Sequence, residues 1–206
     1  MFTDGPPPLC LVIAHHYPAS NVFYRSLRRE FPLMVRGEGC WLVDALGKRY
    51  LDGSGGAFAA TLGHGVEEVA SAMGEQARRV AYVSGAWCTN EAVEAFAAAL
   101  ARLAPGDLDY VYPLSSGSEA VEAALKMARQ FWVESGKPAK SRILALSPGY
   151  HGNTLLALSA SAREHYRRFY GDWLVDVTLV PAPYTYRCAC GGREPACDAC
   201  SGEALE

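Results

Sequence analysis

The sequence has no excess of charge of either sign. It holds 19 Lys and Arg against 22 Asp and Glu in 206 residues, which gives a net charge of −3. Proteins that bind nucleic acid neutralise phosphates with a basic surface, and nothing in this composition predicts such a surface. We therefore expect no nucleic-acid partner.

Long apolar runs are also missing from the beginning of the chain. The longest run there, residues 9–14, has six residues and follows Asp4 and three prolines rather than a basic segment. This pattern predicts neither a secretory signal peptide nor a membrane-spanning helix. We expect a cytoplasmic protein that does not bind membranes and has no disulfide framework.

Cysteine is present in an odd number, seven, and falls into two groups. Cys10, Cys40 and Cys88 lie singly in apolar or mixed surroundings and are predicted to be buried thiols. The other four form two close pairs, which is the arrangement of a tetrahedral zinc site. A redox-sensitive or incidental thiol cluster is the alternative. These four residues are Cys188, Cys190, Cys197 and Cys200.

Half of the residues are hydrophobic, which is typical of a globular protein with a sizeable core. Residues 32–52 contain short β-like runs separated by glycines and predict a small antiparallel meander. Apolar spacing predicts a helix over residues 66–80, and a second helix begins after Thr89 and Asn90.

Strands and helices alternate in the second half of the sequence. Strands are predicted at residues 109–114, 142–146 and 175–180, with a long helix after Ser116. This order predicts an α/β fold with a mainly parallel sheet and flanking helices. The buried face of the long helix is predicted to consist of Val121, Ala124, Leu125, Ala128 and Trp132.

A candidate phosphate site lies between the first of these strands and the long helix. The segment 115–120 reads Ser-Ser-Gly-Ser-Glu-Ala. Backbone N–H groups and the helix dipole converge on an anion at such a position, where Gly117 permits close approach and Ser118 supplies a hydroxyl. A well-capped helix with no ligand explains the same residues.

A second candidate element is the loop Gly149-Tyr150-His151-Gly152, which follows the next strand. The ring of Tyr150 is of the kind that stacks on a planar cofactor, with His151 beside it. A packed loop without a ligand is the alternative, since Tyr and His are commonly half-buried.

The string 116–129 followed by 149–152 resembles the class III aminotransferases, which are pyridoxal-phosphate enzymes of fold type I. The segments Tyr50-Leu51-Asp52-Gly53 and 62–65 also resemble the N-terminal region of that family. The resemblance implies that residues 1–60 form an N-terminal arm and a β-meander that belong to a small domain. It also implies that residues 61–206 form an incomplete cofactor-binding domain, which contains a Cys-rich loop at residues 186–200.

The resemblance also implies site residues, a reaction and partners. Gly117 and Ser118 would hold the cofactor phosphate, Tyr150 would stack on the pyridine ring, and His151 would flank it. The full-length form would transfer an amino group from an amine or amino acid to a keto acid or aldehyde. It would be a homodimer, with the regions around Phe58 and Tyr82 near the partner subunit. A racemase, aminomutase or decarboxylase on the same scaffold stays open.

Transamination needs a lysine that forms a Schiff base with the cofactor. The four lysines do not match the family's catalytic position, which the resemblance places beyond this sequence. We therefore expect an N-terminal fragment that is inactive alone and leaves apolar surface exposed. The alternative is a non-catalytic truncated remnant or split half that binds a phosphate ligand or a partner chain. The lysines are Lys48, Lys126, Lys137 and Lys140.

Three further groups of residues have open roles. The aromatic residues Phe58, Tyr82, Trp87 and Tyr150 line an apolar substrate pocket or belong to the core. A basic and aromatic patch contacts a substrate carboxylate or forms a solvated helix face; it contains Arg163, Tyr166, Arg167, Arg168 and Tyr170. Structural roles are expected for His15, His16, His64 and His165.

Overall fold

The computed structural model describes residues 14–182, together with Tyr184 and Tyr186. Cys10 and the proposed zinc cysteines therefore lie outside the described residues. The chain divides into two compact units, Met1–Leu100 and Ala101–Glu206. The expected domain boundary at residue 60 stays a prediction.

The first unit begins with two small antiparallel sheets. Strand β1 (Ala14–His15) pairs with β2 (Phe31–Pro32), and a three-stranded meander follows. Its strands are β3 (Met34–Glu38), β4 (Trp41–Asp44) and β5 (Arg49–Leu51). The meander predicted from the glycine spacing is confirmed.

Asp44 stabilises the turn between β4 and β5. Its side chain is buried, and its carboxylate accepts hydrogen bonds from the Tyr50 hydroxyl and from the backbone N–H groups of Leu46 and Lys48, each at 2.9 Å. Burial raises the pKa of the Asp44 carboxyl, but these hydrogen bonds and the charge of Lys48 outweigh it and leave the pKa lowered. The meander thus closes around an ionised carboxylate.

A single left-handed turn, α1 (Gly55–Phe58), follows the meander. Its four residues all have φ between 53° and 68°, including Ala57 at 62° and Phe58 at 68°. Left-handed backbone costs about 1–2 kcal/mol for each residue that carries a Cβ. This strain could not be predicted from the residue types, because only the first two of the four positions are glycine.

Two right-handed helices complete the first unit, α2 (Glu67–Arg79) and α3 (Glu91–Ala101). Both match the predicted positions. The side chain of Asn90 accepts a hydrogen bond from the N–H of Val93 at 3.1 Å, so Asn90 is the cap of α3.

The second unit has α/β organisation. Strands β6 (Leu144–Ser147) and β7 (Thr178–Pro181) are parallel, with Leu144 opposite Thr178. The helices are α4 (Gly117–Glu134), α5 (Leu155–Ala160) and α6 (Glu164–Arg167), and a 3₁₀ turn spans Gly171–Trp173. The buried apolar residues come from β6, α5 and β7; they are Ala145, Ala157, Leu158, Ala160 and Val180.

Three expectations about strands and burial were wrong. Residues 109–114 form no strand, because no partner strand lies beside them within the described part of the chain. No residue of α4 is buried, including its predicted apolar face, since among the described elements only α5 packs on it substantially. Cys40 and Cys88 are exposed rather than buried.

Large hydrophobic side chains are exposed in both units. This agrees with the expectation that the chain leaves apolar surface exposed. Met73 on α2 is 69% exposed and Phe131 on α4 is 59% exposed. No helix in the described residues combines the length and the apolar character that crossing a bilayer requires.

Candidate active site

The N-terminus of α4 is capped by its own sequence. Ser116 has extended backbone, and its Oγ accepts the N–H of Glu119 at 3.2 Å. The Glu119 carboxylate in turn accepts the N–H of Ser115 at 3.1 Å. The capped-helix interpretation is therefore confirmed, but capping satisfies only part of the helix terminus.

Two N–H groups of this terminus stay available. Within the described residues, the N–H groups of Gly117 and Ser118 have no acceptor. A Cβ built on Gly117 would meet no atom within 4 Å, so the space beside this glycine is open. An anion is favoured at such a position by free N–H groups and by the helix dipole.

Ser118 joins the helix terminus to the loop 149–152. Its Oγ accepts the N–H of Asn153 at 2.9 Å, which leaves the hydroxyl proton free to be donated to another acceptor. The approach is close, because a Cβ on Gly152 would lie 2.8 Å from both Cα and Oγ of Ser118. Gly152 also has a φ of 142°, which side chains rarely adopt. A larger residue at position 152 would therefore both clash with Ser118 and strain the backbone.

The backbone of His151 is hydrogen-bonded, but one nitrogen of its ring has no hydrogen-bond partner in the described residues. The N–H of His151 donates to the Ser161 Oγ at 2.9 Å. The ring Nε2 is buried and has no hydrogen-bond partner within the part of the chain that the structure describes. A buried polar atom without a partner is costly, but Nε2 is packed against Gly149, where an added Cβ would lie 3.0 Å from it, so a ligand does not reach this atom in the described structure.

Tyr150 presents a ring at the surface of the same loop. The side chain is 53% exposed, and its ring centroid lies 5.3 Å from that of Tyr166 on α6, with an interplanar angle of 49°. A half-exposed ring supported by a second aromatic residue provides a surface on which a planar ligand can stack.

The structure thus brings Gly117, Ser118, Tyr150 and His151 to one region of the second unit, at the end of β6. Sequence reasoning missed the residues that hold them there. Glu122 accepts the Thr154 hydroxyl at 2.6 Å and the N–H of Ala157 at 3.3 Å, and so ties α4 to α5. The spacing in the sequence carries no signal for this contact, since 32 residues separate Glu122 and Thr154.

The basic and aromatic patch is divided by the structure. Arg167 faces inward, and its Nη1 donates to the carbonyl oxygens of Ser159 at 2.6 Å and Ser161 at 2.7 Å. Arg168 is exposed and lies over the ring of Phe169 at 4.5 Å. Arg167 is therefore a structural residue, and a role for it at a substrate carboxylate is not favoured.

Three of the predicted pocket aromatics and His64 belong to the first unit. Phe58, Tyr82 and Trp87 belong to the first unit and are 86%, 83% and 88% exposed, so they do not form its core. His64 pairs with Asp52, in agreement with the structural role expected for it. In residues 14–182, with Tyr184 and Tyr186, no three His, Cys, Asp or Glu side chains are grouped so as to hold a metal ion.

Three of the four lysines lie over aromatic rings. Lys48 lies 4.8 Å from the ring centroid of Tyr50, and Lys137 and Lys140 lie 5.3 and 3.8 Å from that of Trp132. The fourth, Lys126, follows Ser118 on the same helix at about 12 Å along the axis.

These residues fit a phosphorylated planar ligand such as pyridoxal phosphate. The α4 terminus offers donors for a phosphate, and Tyr150 offers a ring for stacking.

Comparison with known proteins gives one consistent result. The family model for class-III aminotransferases matches residues 24–206. An adenosylmethionine-8-amino-7-oxononanoate aminotransferase of Geobacter sulfurreducens is 39% identical over 173 residues, which cover 84% of this chain and 38% of that protein. The chain therefore spans well under half the length of this curated relative.

Solved structures agree. An (S)-enantioselective omega-transaminase from Thermomicrobium roseum superposes with a TM-score of 0.76 at 40% identity, over 86% of this chain and 40% of that chain. An amine transaminase from an uncultivated Pseudomonas species, in its PLP-bound form, gives a TM-score of 0.76 at 30% identity, over 93% and 43% of the two chains. The α/β fold expected from the sequence, the N-terminal part of a fold type I transferase, is confirmed. The chain belongs to the class-III aminotransferases.

Proposed function

We propose that this chain forms part of a pyridoxal-phosphate-dependent aminotransferase that moves an amino group from an amine or amino acid to a keto acid or aldehyde. The observation that carries the proposal is the contact between the α4 terminus and the loop 149–152, where Ser118 Oγ accepts the Asn153 N–H at 2.9 Å. Family membership supports the reaction class.

Each site residue has a role that follows from its position. The N–H groups of Gly117 and Ser118, with the Ser118 hydroxyl, bind the phosphate. The Tyr150 ring would stack on the pyridine ring, and His151 would flank that ring. Bound there, the cofactor supplies the electron withdrawal that amino-group transfer needs.

We further propose that the amine nucleophile of the reaction is none of the four lysines in this sequence. Lys48 lies over the ring of Tyr50, and Lys137 and Lys140 lie over that of Trp132. Lys126 follows Ser118 on α4 by about 12 Å along the helix axis. The 206-residue polypeptide is accordingly expected to bind the cofactor without transferring amino groups.

The test is a titration of the purified chain with three ligands: pyridoxal phosphate, pyridoxal without the phosphate, and inorganic phosphate. Pyridoxal phosphate is expected to bind more tightly than either part, because helix terminus and aromatic ring both contribute. Borohydride reduction followed by mass mapping should label no single lysine preferentially. Equal affinity for inorganic phosphate and pyridoxal phosphate would instead support a phosphate-binding protein without cofactor chemistry.

The assembly proposed for the whole protein is a homodimer with the Phe58 and Tyr82 regions near the partner subunit. Exposure of 86% and 83% for these two side chains in the described structure supports this assignment. Sedimentation of the protein and of a Phe58→Ser, Tyr82→Ser variant tests it, since the variant should shift toward monomer. An unchanged mass would contradict the assignment.

A further inference from the structure

Tyr166 contacts the residue that the proposed function assigns to ring stacking. Its ring lies 5.3 Å from that of Tyr150 and 4.0 Å from that of its neighbour His165. The three rings form a continuous row from α6 to the loop 149–152. Tyr150 therefore has an aromatic support on the protein side although more than half of its surface is exposed.

Hydrogen bonds of the residue that follows Tyr166 hold this part of α6 in place. The next residue, Arg167, is bound to the carbonyl oxygens of Ser159 and Ser161 at the end of α5. Ser161 is fully buried, and its Oγ accepts the N–H of His151. The segment that anchors α6 is thus the same segment that holds the loop carrying Tyr150.

We propose that Tyr166 is a positioning residue that fixes the orientation of the Tyr150 ring for stacking on the cofactor. An exposed aromatic side chain without such support samples several rotamers, and binding must then immobilise it. Tyr166 removes part of this entropy cost in advance. Tyr166 acts through Tyr150, and the inference rests on the proposed function.

The experiment measures binding of 4′-deoxypyridoxine 5′-phosphate, which keeps the phosphate and the ring but lacks the aldehyde and so does not react with lysines. Affinity is measured by calorimetry, and ring orientation by the circular dichroism induced in the ligand's absorption band. Tyr166→Leu is expected to weaken binding about 3- to 10-fold, the range for one side chain that must be ordered. It should also diminish the induced signal.

The matched control is Tyr170→Leu. Tyr166 and Tyr170 are equally exposed, at 42%, but the described ring contact of Tyr170 is with Trp173. Tyr170→Leu should leave affinity and induced signal unchanged. Tyr166→Phe keeps the ring and should restore both quantities to within about 2-fold of the parent protein. Inorganic phosphate affinity should be the same in all variants, because phosphate does not touch the ring.

The outcomes separate this inference from the proposed function. A parent protein that does not bind the ligand overturns both. A parent protein that binds, with Tyr166→Leu equal to it in affinity and induced signal, overturns the positioning role alone. Loss in Tyr166→Leu and Tyr170→Leu alike would also overturn it. If far-ultraviolet circular dichroism shows that Tyr166→Leu is unfolded, Tyr166→Met, which refills the volume without a ring, is measured with the same expectation.

Discussion

The Nε2 atom of His64 lies 2.8 Å from the Oδ2 atom of Asp52, and the two side chains are only 25% and 11% exposed. The other carboxylate oxygen of Asp52 accepts the N–H of Gly56 at 3.3 Å. Asp52 therefore joins the beginning and the end of the loop 53–63, which contains the left-handed turn α1.

This pair predicts a pH-dependent contribution to stability. The hydrogen bond from His64 is the main reason that the pKa of Asp52 is lowered from 3.8. A carboxyl whose pKa is lowered on folding stabilises the folded state above its ordinary pKa, and the contribution is lost as pH falls through the folded pKa. Asp52→Asn should therefore be less stable than the parent protein at pH 7, with the difference shrinking below about pH 4.

Urea unfolding between pH 7 and pH 3 measures this difference. Glu38→Gln is the control, since Glu38 is 81% exposed and its ion pair with Arg36 is 4.0 Å long. An exposed pair of this kind contributes little, so the control should follow the parent protein across the range. A deficit for Asp52→Asn that stays constant down to pH 3 would argue against ionisation of Asp52 as its source.

Because α1 is strained, replacing alanine by glycine should change stability in opposite directions in α1 and in α3. Ala57 has a φ of 62°, where glycine is favoured, so Ala57→Gly should stabilise the protein by about 0.5–1 kcal/mol after the entropy cost of glycine. Ala95 is an exposed residue in α3, and Ala95→Gly should destabilise the protein by about 1 kcal/mol. Chemical denaturation of the two variants measures both changes, and a loss of stability in Ala57→Gly would contradict the left-handed conformation.

Periodicity and glycine spacing sufficed to predict the elements that form from local sequence. The cap of α3, for which the sequence offered Thr89 or Asn90, the Ser116–Glu119 capping pair and the meander between residues 32 and 52 all depend on contacts between near neighbours. The segment 109–114 has a strand-like composition, but a strand also needs a partner, and the described residues provide none. The apolar spacing on α4 likewise indicates which face of the helix can be buried. It does not indicate which other element packs against that face.

Candidate site residues were predictable for a related reason. Gly117, Ser118 and the loop 149–152 occur in short motifs whose chemistry is local. The contacts that hold them are not local. Glu122 with Thr154 and Arg167 with Ser159 depend on how α5 packs, which no short pattern in the sequence encodes.

Ser116 and Ser118 lie two residues apart and should respond differently to alanine. Ser116 caps α4, so Ser116→Ala should cost about 1 kcal/mol of stability and change ligand affinity little. Ser118→Ala removes the hydroxyl proposed to bind phosphate and should weaken pyridoxal phosphate binding about 10-fold, as expected for a hydrogen bond to a charged group. Thermal unfolding and ligand titration of both variants compare the two effects. Equal loss of affinity in both variants would argue against direct phosphate binding by Ser118.

Arg167 should be more important for stability than its neighbour Arg168. Its Nη1 donates to the carbonyl oxygens of Leu158, Ser159 and Ser161 at 3.4, 2.6 and 2.7 Å, and both serines are fully buried. Arg167→Ala leaves buried carbonyl groups unpaired and should cost about 1–3 kcal/mol in urea unfolding. Arg168→Ala removes a charge that lies at the surface over Phe169, so we expect a change within about 0.5 kcal/mol. If both variants unfolded at the same urea concentration as the parent protein, the hydrogen bonds of Arg167 would not stabilise the end of α5, and the anchoring of α6 beside Tyr150 would need another explanation.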